Sequence, residues 1–155
     1  MRANSSKPGS GSLVVNYKGG KMEHTKTKLH NRACKLLGIP SDKFQLVSPS
    51  QYKEITGQGV SNYLGLAYRQ YKIYYVRRGE PLRTYVHELL HLLFKSKPHW
   101  WVYAVSWKLT GITKNMKLDK SYGYGNGYHV SAERIKELPS KQKLLAQIQR
   151  TSTKG

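Results

Sequence analysis

Thr84-Tyr85-Val86-His87-Glu88-Leu89-Leu90-His91-Leu92-Leu93-Phe94 is the stretch on which the reading of this chain turns. Val86, Leu89, Leu90, Leu93 and Phe94 recur at the i, i+3, i+4, i+7, i+8 spacing of a buried helix face. His87 and His91 stand one turn apart in that helix and point the same way. Two imidazoles so placed reach one tetrahedral Zn²⁺ at about 2.0–2.1 Å. Glu88 falls one position round the helix, beside such an ion rather than on it, where a carboxylate serves as general base. With 6 His in 155 residues and as many Glu, His-Glu-x-x-His arises by chance in about one random arrangement in a hundred. Burying two histidines and a glutamate in an apolar helix is costly without a ligand or partner, so the pattern points to a metal.

A catalytic zinc takes three protein ligands and keeps a fourth position open. The metal helix is expected over Pro81–Phe94, with Pro81 in its first turn, and Pro98 stops any continuation. His99 lies just past that stop, at the start of a second apolar helix from Trp100 to about Leu109, and is the first candidate for third ligand. Glu133, in the amphipathic stretch Ser131–Leu138, is the second, and His129 is the third. Each also reads as something plainer: a helix-start histidine, a solvated carboxylate, or a substrate-binding imidazole.

Upstream of the helix, Leu64-Gly65-Leu66-Ala67-Tyr68 reads as an edge strand. Tyr71–Val76, rich in β-branched and aromatic residues, reads as a second strand. Arg77–Glu80 is a polar turn. The order strand, strand, HExxH helix, then a histidine opening the next helix resembles the SprT-like metallopeptidases, including the Spartan and WLM groups of zincins. LGLAYRQYKIYYV, TYVHELLHLLF and HWWVYAVSWKL carry the resemblance, which covers roughly residues 29–112. It implies an α+β, zincin-like domain: a short mixed sheet whose edge strand lies beside the active-site helix. It implies Zn²⁺ on His87, His91 and His99 with Glu88 as base and acid. It also implies an extended protein substrate paired to Leu64–Gln70 by β-augmentation. The insert before the third histidine is shorter than in many members. A single cysteine leaves no Cys-rich zinc ribbon.

Charge narrows the partners. The 27 Lys and Arg against 8 Asp and Glu leave a net charge of +19 at pH 7. Such a field attracts polyanions, DNA first among them. Arg77, Arg78, Arg83, Lys95 and Lys97 lie close in sequence to the site and are the candidate DNA contacts. Phosphate contacts of this kind position a nucleic acid without reading its sequence. Tyr122, Tyr124 and Tyr128 alternate with Gly123, Gly125 and Gly127, a pattern that suits a loop or lid better than a base-stacking platform.

The length suits one domain. Residues 1–12 read as a disordered basic tail with no secretory signal, residues 13–150 as the domain, and residues 151–155 as a frayed end. Leu13–Tyr17 and Phe44–Val47 read as short strands. Glu23–Leu37 reads as a basic amphipathic helix closed by Gly38, and Lys141–Arg150 as a last short helix. Gln51–Thr56 fits either a helical turn or the start of a strand. Cys34 sits among inward residues and reads as a small buried side chain. Trp100–Ile112 is too short to span a bilayer. One cysteine and no signal point to a reducing, intracellular setting, a virion being the other location that fits. The residues do not specify an oligomeric state. The expected activity is a zinc endopeptidase restricted to proteins bound or crosslinked to DNA. Two alternatives stand beside it: a zincin peptidase unconnected with nucleic acid, viral or plasmid-borne for example, and a basic nucleic-acid-binding or virion protein with a non-catalytic zincin fold.

Overall fold

The computed structural model describes residues 21–110, 121–123 and 129–154. Helix α1 (Lys21–Leu37) leads through β1 (Gln45–Leu46) to α2 (Pro49–Thr56). Strand β2 (Gly65–Tyr68), a 3-10 turn (Arg69–Tyr71) and β3 (Ile73–Val76) follow. Then come α3 (Leu82–Leu93) and α4 (His99–Leu109). The short strands β4 (Ser121–Gly123) and β5 (His129–Ser131) precede α5 (Ala132–Glu137) and α6 (Lys141–Lys154). The tail at 1–12, the expected strand at 13–17 and the tyrosines at 124 and 128 lie outside the described residues.

The fold is α+β, with a three-stranded mixed sheet in the order β1-β3-β2. β1 runs parallel to β3, and β2 runs antiparallel to it. β2 is therefore an edge strand, as its sequence suggested. The central strand β3 is buried at all four positions, which is why Ile73-Tyr74-Tyr75-Val76 shows no polar alternation. It starts two residues later than expected. Arg69–Tyr71 form the 3-10 turn, and Lys72 leaves it with a left-handed φ of 57°. The strand proposed to hold substrate thus ends at Tyr68 rather than Gln70.

Local chemistry explains the helix ends. Gly38 closes α1 with φ 71°, and the Ile39 N–H reaches back to the Cys34 carbonyl at 3.0 Å. The undecided segment after Val47 is a helix because Ser48 and Gln51 form a capping box. The Gln51 N–H donates to the Ser48 hydroxyl at 3.2 Å, and the Ser48 N–H donates to the Gln51 side chain at 2.9 Å. Pro49 sits in the first turn, where it is tolerated. At the far end, α6 continues through Lys154, so residues 151–154 are helical rather than frayed. The Lys43 ammonium donates to the Ser152 carbonyl at 3.1 Å and ties that last turn to the body of the fold.

α3 is the centre of the molecule. It packs against α1, β2, β3, α4 and α6, and every residue from Thr84 to Leu90 is buried. α1 is pinned to the sheet by a buried polar link. The Tyr74 hydroxyl donates to His30 Nδ1, and His30 Nε2–H donates to the Ser41 carbonyl at 2.8 Å. The bond accepted by Nδ1 requires the neutral ring, and burial lowers the His30 pKa, although the bond donated to Ser41 works in the opposite direction. Cys34 lies alongside with its thiol pushed up to about 12 by burial, so it packs rather than reacts.

The sign of the His30 linkage follows. The unfolded chain binds the proton more readily, so this contribution is complete above the ordinary histidine pKa of about 6.5 and is lost as pH falls below it. His30→Gln is expected to cost about 1–3 kcal/mol at pH 7.5, through the disturbed partners of Tyr74 and Ser41. It should also flatten the decline of the urea midpoint between about pH 6.5 and 5. An unchanged slope in the variant would remove His30 as a source of acid sensitivity.

Candidate metal centre

His87 and His91 lie on one face of α3, and their Nε2 atoms are 3.0 Å apart. His99 is the first residue of α4. Pro98 caps that helix in an extended conformation, and the reversal brings the His99 ring centroid to 5.2 Å from His87 and 4.7 Å from His91. One ligand nitrogen from each of the three imidazoles lies within 4.8 Å of the others. These separations are of the size that three imidazole nitrogens sharing one metal ion require. Among the described residues it is the one group of three or more His, Cys, Asp or Glu placed to hold a metal ion.

The electrostatics fit a cation. Burial, then the neighbouring His91 and His99, hold His87 well below the ordinary histidine range. Burial, then His99, lowers His91 to about 4. Burial lowers His99 as well. All three are therefore neutral at pH 7, the form that ligates a metal.

The cluster opens into a cleft of about 540 Å³ lined by β2, α3 and the start of α4. All three histidines line this cleft. Glu88 lies in the same cleft, 6% exposed, and burial raises its carboxyl to about 8. A cation held by the histidines pulls that value back down.

The edge strand meets Glu88 directly. A Cβ at Gly65 would stand 2.7 Å from Glu88 Oε2 and 2.9 Å from its Cγ. The absence of a side chain at 65 is what allows the carboxylate to lie against the strand. Gly65 was expected to contact substrate; the geometry gives it a second task. The Arg77 N–H donates to the Leu64 carbonyl at 2.8 Å, which sets the ladder's phase. By alternation Leu66 and Tyr68 bond to β3, while Gly65 and Ala67 turn their N–H and C=O groups towards the open edge. Leu64 through Ala67 line the cleft, and Tyr68 does not.

The other candidates fall elsewhere. Glu133 is solvent-exposed on α5 and outside the cluster, so it is not the third ligand in this arrangement. His129 belongs to β5, and its side chain is not among those described. Of the basic residues singled out, Lys95 and Lys97 line the cleft. Arg77 and Arg78 are exposed in the turn before α3. Arg83 is half-buried, its guanidinium 3.7 Å from the centre of the Trp107 ring. Tyr103 was missed. It lies one turn after His99, is 5% exposed, and packs 4.5 Å from His87 and 5.0 Å from His99 between ring centroids. The His99–Tyr103 spacing of one helical turn was the available signal.

No family model, curated protein or solved structure matches this chain. Functional argument therefore starts from the site itself.

The purified protein is expected to bind one divalent ion per chain. His99→Ala should weaken that binding by at least about 100-fold, since it removes a ligand rather than a ligand's support. Glu133→Ala should leave it unchanged. Affinity should fall as the solution is acidified, because protons compete for the imidazoles. Elemental analysis with chelator competition checks all three; full affinity in His99→Ala would take His99 out of the site.

Proposed function

We propose that this chain is a zinc-dependent endopeptidase with a zincin-like, SprT-like arrangement, acting on proteins associated with DNA. The observation that carries the reading is the convergence of His87, His91 and His99 with a buried Glu88 at the floor of a cleft edged by β2. The nitrogen donor set and the open fourth side favour zinc. When bound, the ion supplies Lewis acidity and a water acidic enough to lose its proton near neutral pH.

The chain's own groups do the rest. Glu88 takes the proton from the attacking water and returns it to the departing amine. Burial raises its carboxyl and a cation on the histidines lowers it again, and the balance leaves a group able both to take and to return a proton. Gly65 keeps the carboxylate in place. The outward N–H and C=O groups of Gly65 and Ala67 pair with an extended peptide and lay it along the histidines. Main-chain pairing is indifferent to sequence, so such an enzyme needs restriction by other means. The net charge of +19 supports DNA as the restricting partner, with Arg77 and Arg78 exposed to meet phosphates. Among the described residues no helix is long and apolar enough to cross a bilayer.

Zinc-loaded protein should cleave an unfolded substrate such as casein, lose that activity to a chelator and regain it with zinc. Glu88→Gln should lower the rate about 10²–10⁴-fold while retaining the metal. Gly65→Ala should lower the rate in the same direction by displacing Glu88, also with metal retained. Cleavage by Glu88→Gln at the wild-type rate would exclude Glu88 as the base. Adding duplex DNA should raise the rate on a DNA-binding substrate; no change would remove DNA from the proposal and leave the peptidase standing.

A further inference from the structure

Three cations gather at one end of the cleft. Arg69 follows β2, and its Nε–H donates to the Leu92 carbonyl at 3.3 Å, in the last turn of α3. Lys95 and Lys97 follow the same helix end, in the loop leading to His99, and all three side chains line the cleft. Lys97 is half-buried, with its ammonium 4.9 Å from the Trp101 ring centre. These contacts hold the charges near the cleft rather than leaving them to sweep solvent. Tyr63, Leu64 and Thr84, before Gly65 on the strand side and before His87 on the helix, add uncharged lining. Among the described residues, Glu88 is the one carboxylate of the lining, and it is buried beneath the strand, so no other acidic side chain among them neutralises the rim.

The distance fits a peptide subsite. Gly65 lies against Glu88, and Arg69 lies against Leu92, four positions further along both strand and helix. Leu92 stands one helical turn beyond Glu88, about 6 Å along α3 or about two residues of extended peptide, and Lys95 and Lys97 follow beyond it in the chain. A peptide paired to β2 therefore presents there a side chain two to four residues from the bond under attack.

We propose that the cleft selects peptides carrying Asp or Glu two to four residues to one side of the scissile bond, recognised by Arg69, Lys95 and Lys97. This selection rests on the peptidase reading of the same site. It gives specificity where strand pairing alone has none, because an uncharged or basic side chain forgoes the attraction or meets repulsion.

The test uses zinc-loaded Glu88→Gln protein, so that binding is read without turnover. Fluorescein-labelled peptides, identical but for Glu or Gln at those positions, are titrated by anisotropy. The Glu peptide should bind about tenfold more tightly. Lys95→Gln/Lys97→Gln should bring the two peptides within about twofold, and Lys95→Arg/Lys97→Arg should preserve the difference. Equal binding of the two peptides, or binding of neither, overturns the proposal. So does a double Gln variant that loses affinity for a short oligonucleotide while still discriminating the peptides, which would assign these cations to nucleic acid. Hydrolysis by the unmutated protein separates the two readings. Discrimination in binding without turnover of either peptide would sink the peptidase and leave the acidic-peptide site. Turnover of both peptides at equal rates would sink the selection and leave the peptidase.

Discussion

A helix buried on every side has to find an outlet for its polar side chains, and α3 has one. Its apolar residues are enclosed by α1, the sheet, α4 and α6. His87 and Glu88 are 4% and 6% exposed, and what exposure they have is to the cleft. Desolvating three imidazoles and a carboxyl disfavours their charged forms, and the cost appears as depressed histidine pKa values and a raised glutamate. A divalent cation relieves both at once. Neutral imidazoles gain a ligand, and the carboxyl gains a counter-charge. The geometry of the fold and the chemistry of the site thus follow from one constraint.

The site is held by short, rigid connections. Two of the three clustered histidines and Glu88 come from α3, and the third histidine is the first residue of α4. The chain between the helices runs only from Phe94 to Pro98, which leaves His99 little room to wander. Tyr103 then packs on both His87 and His99 and ties the two helices together at the ligands. On the other side of the cleft, β2 supplies backbone and almost no side chain where it matters most. Sites supported in this way keep their geometry better than sites built on loops.

The positive charge is divided among different physical tasks. Lys26, Lys43, Arg83, Lys97 and Arg134 each stand over an aromatic ring, Arg83 closest at 3.7 Å from the Trp107 centroid. Such cations cover apolar surface as well as carrying charge. Arg69 and Lys97 are held by local contacts at the cleft end, while Arg77 and Arg78 stay exposed in a turn. A net charge read from composition is therefore a statement about the far field. Which cations meet a partner is settled by packing.

Much of the centre was legible in one dimension. The helical period of Val86, Leu89, Leu90, Leu93 and Phe94 exposed a buried helix, and the one-turn spacing of His87 and His91 exposed its chemistry, because both are local properties of helix geometry. The edge strand was readable for the same reason, whereas α3 ends at Leu93, well before Pro98, which instead caps α4. The capping box at Ser48 and Gln51 was also present in the sequence, although the segment was left between helix and strand. What lay beyond reach was every relation that crosses the chain. The choice of His99 over Glu133 depends on the angle between α3 and α4. The need for glycine at 65 depends on a glutamate 23 positions away. The gathering of Arg69 with Lys95 and Lys97 depends on where β2 lies along α3. Side-chain periodicity determines which face of an element is apolar and what that face carries. Only the packing of elements, driven by burial and limited by van der Waals contact, determines which faces meet and what stands between them.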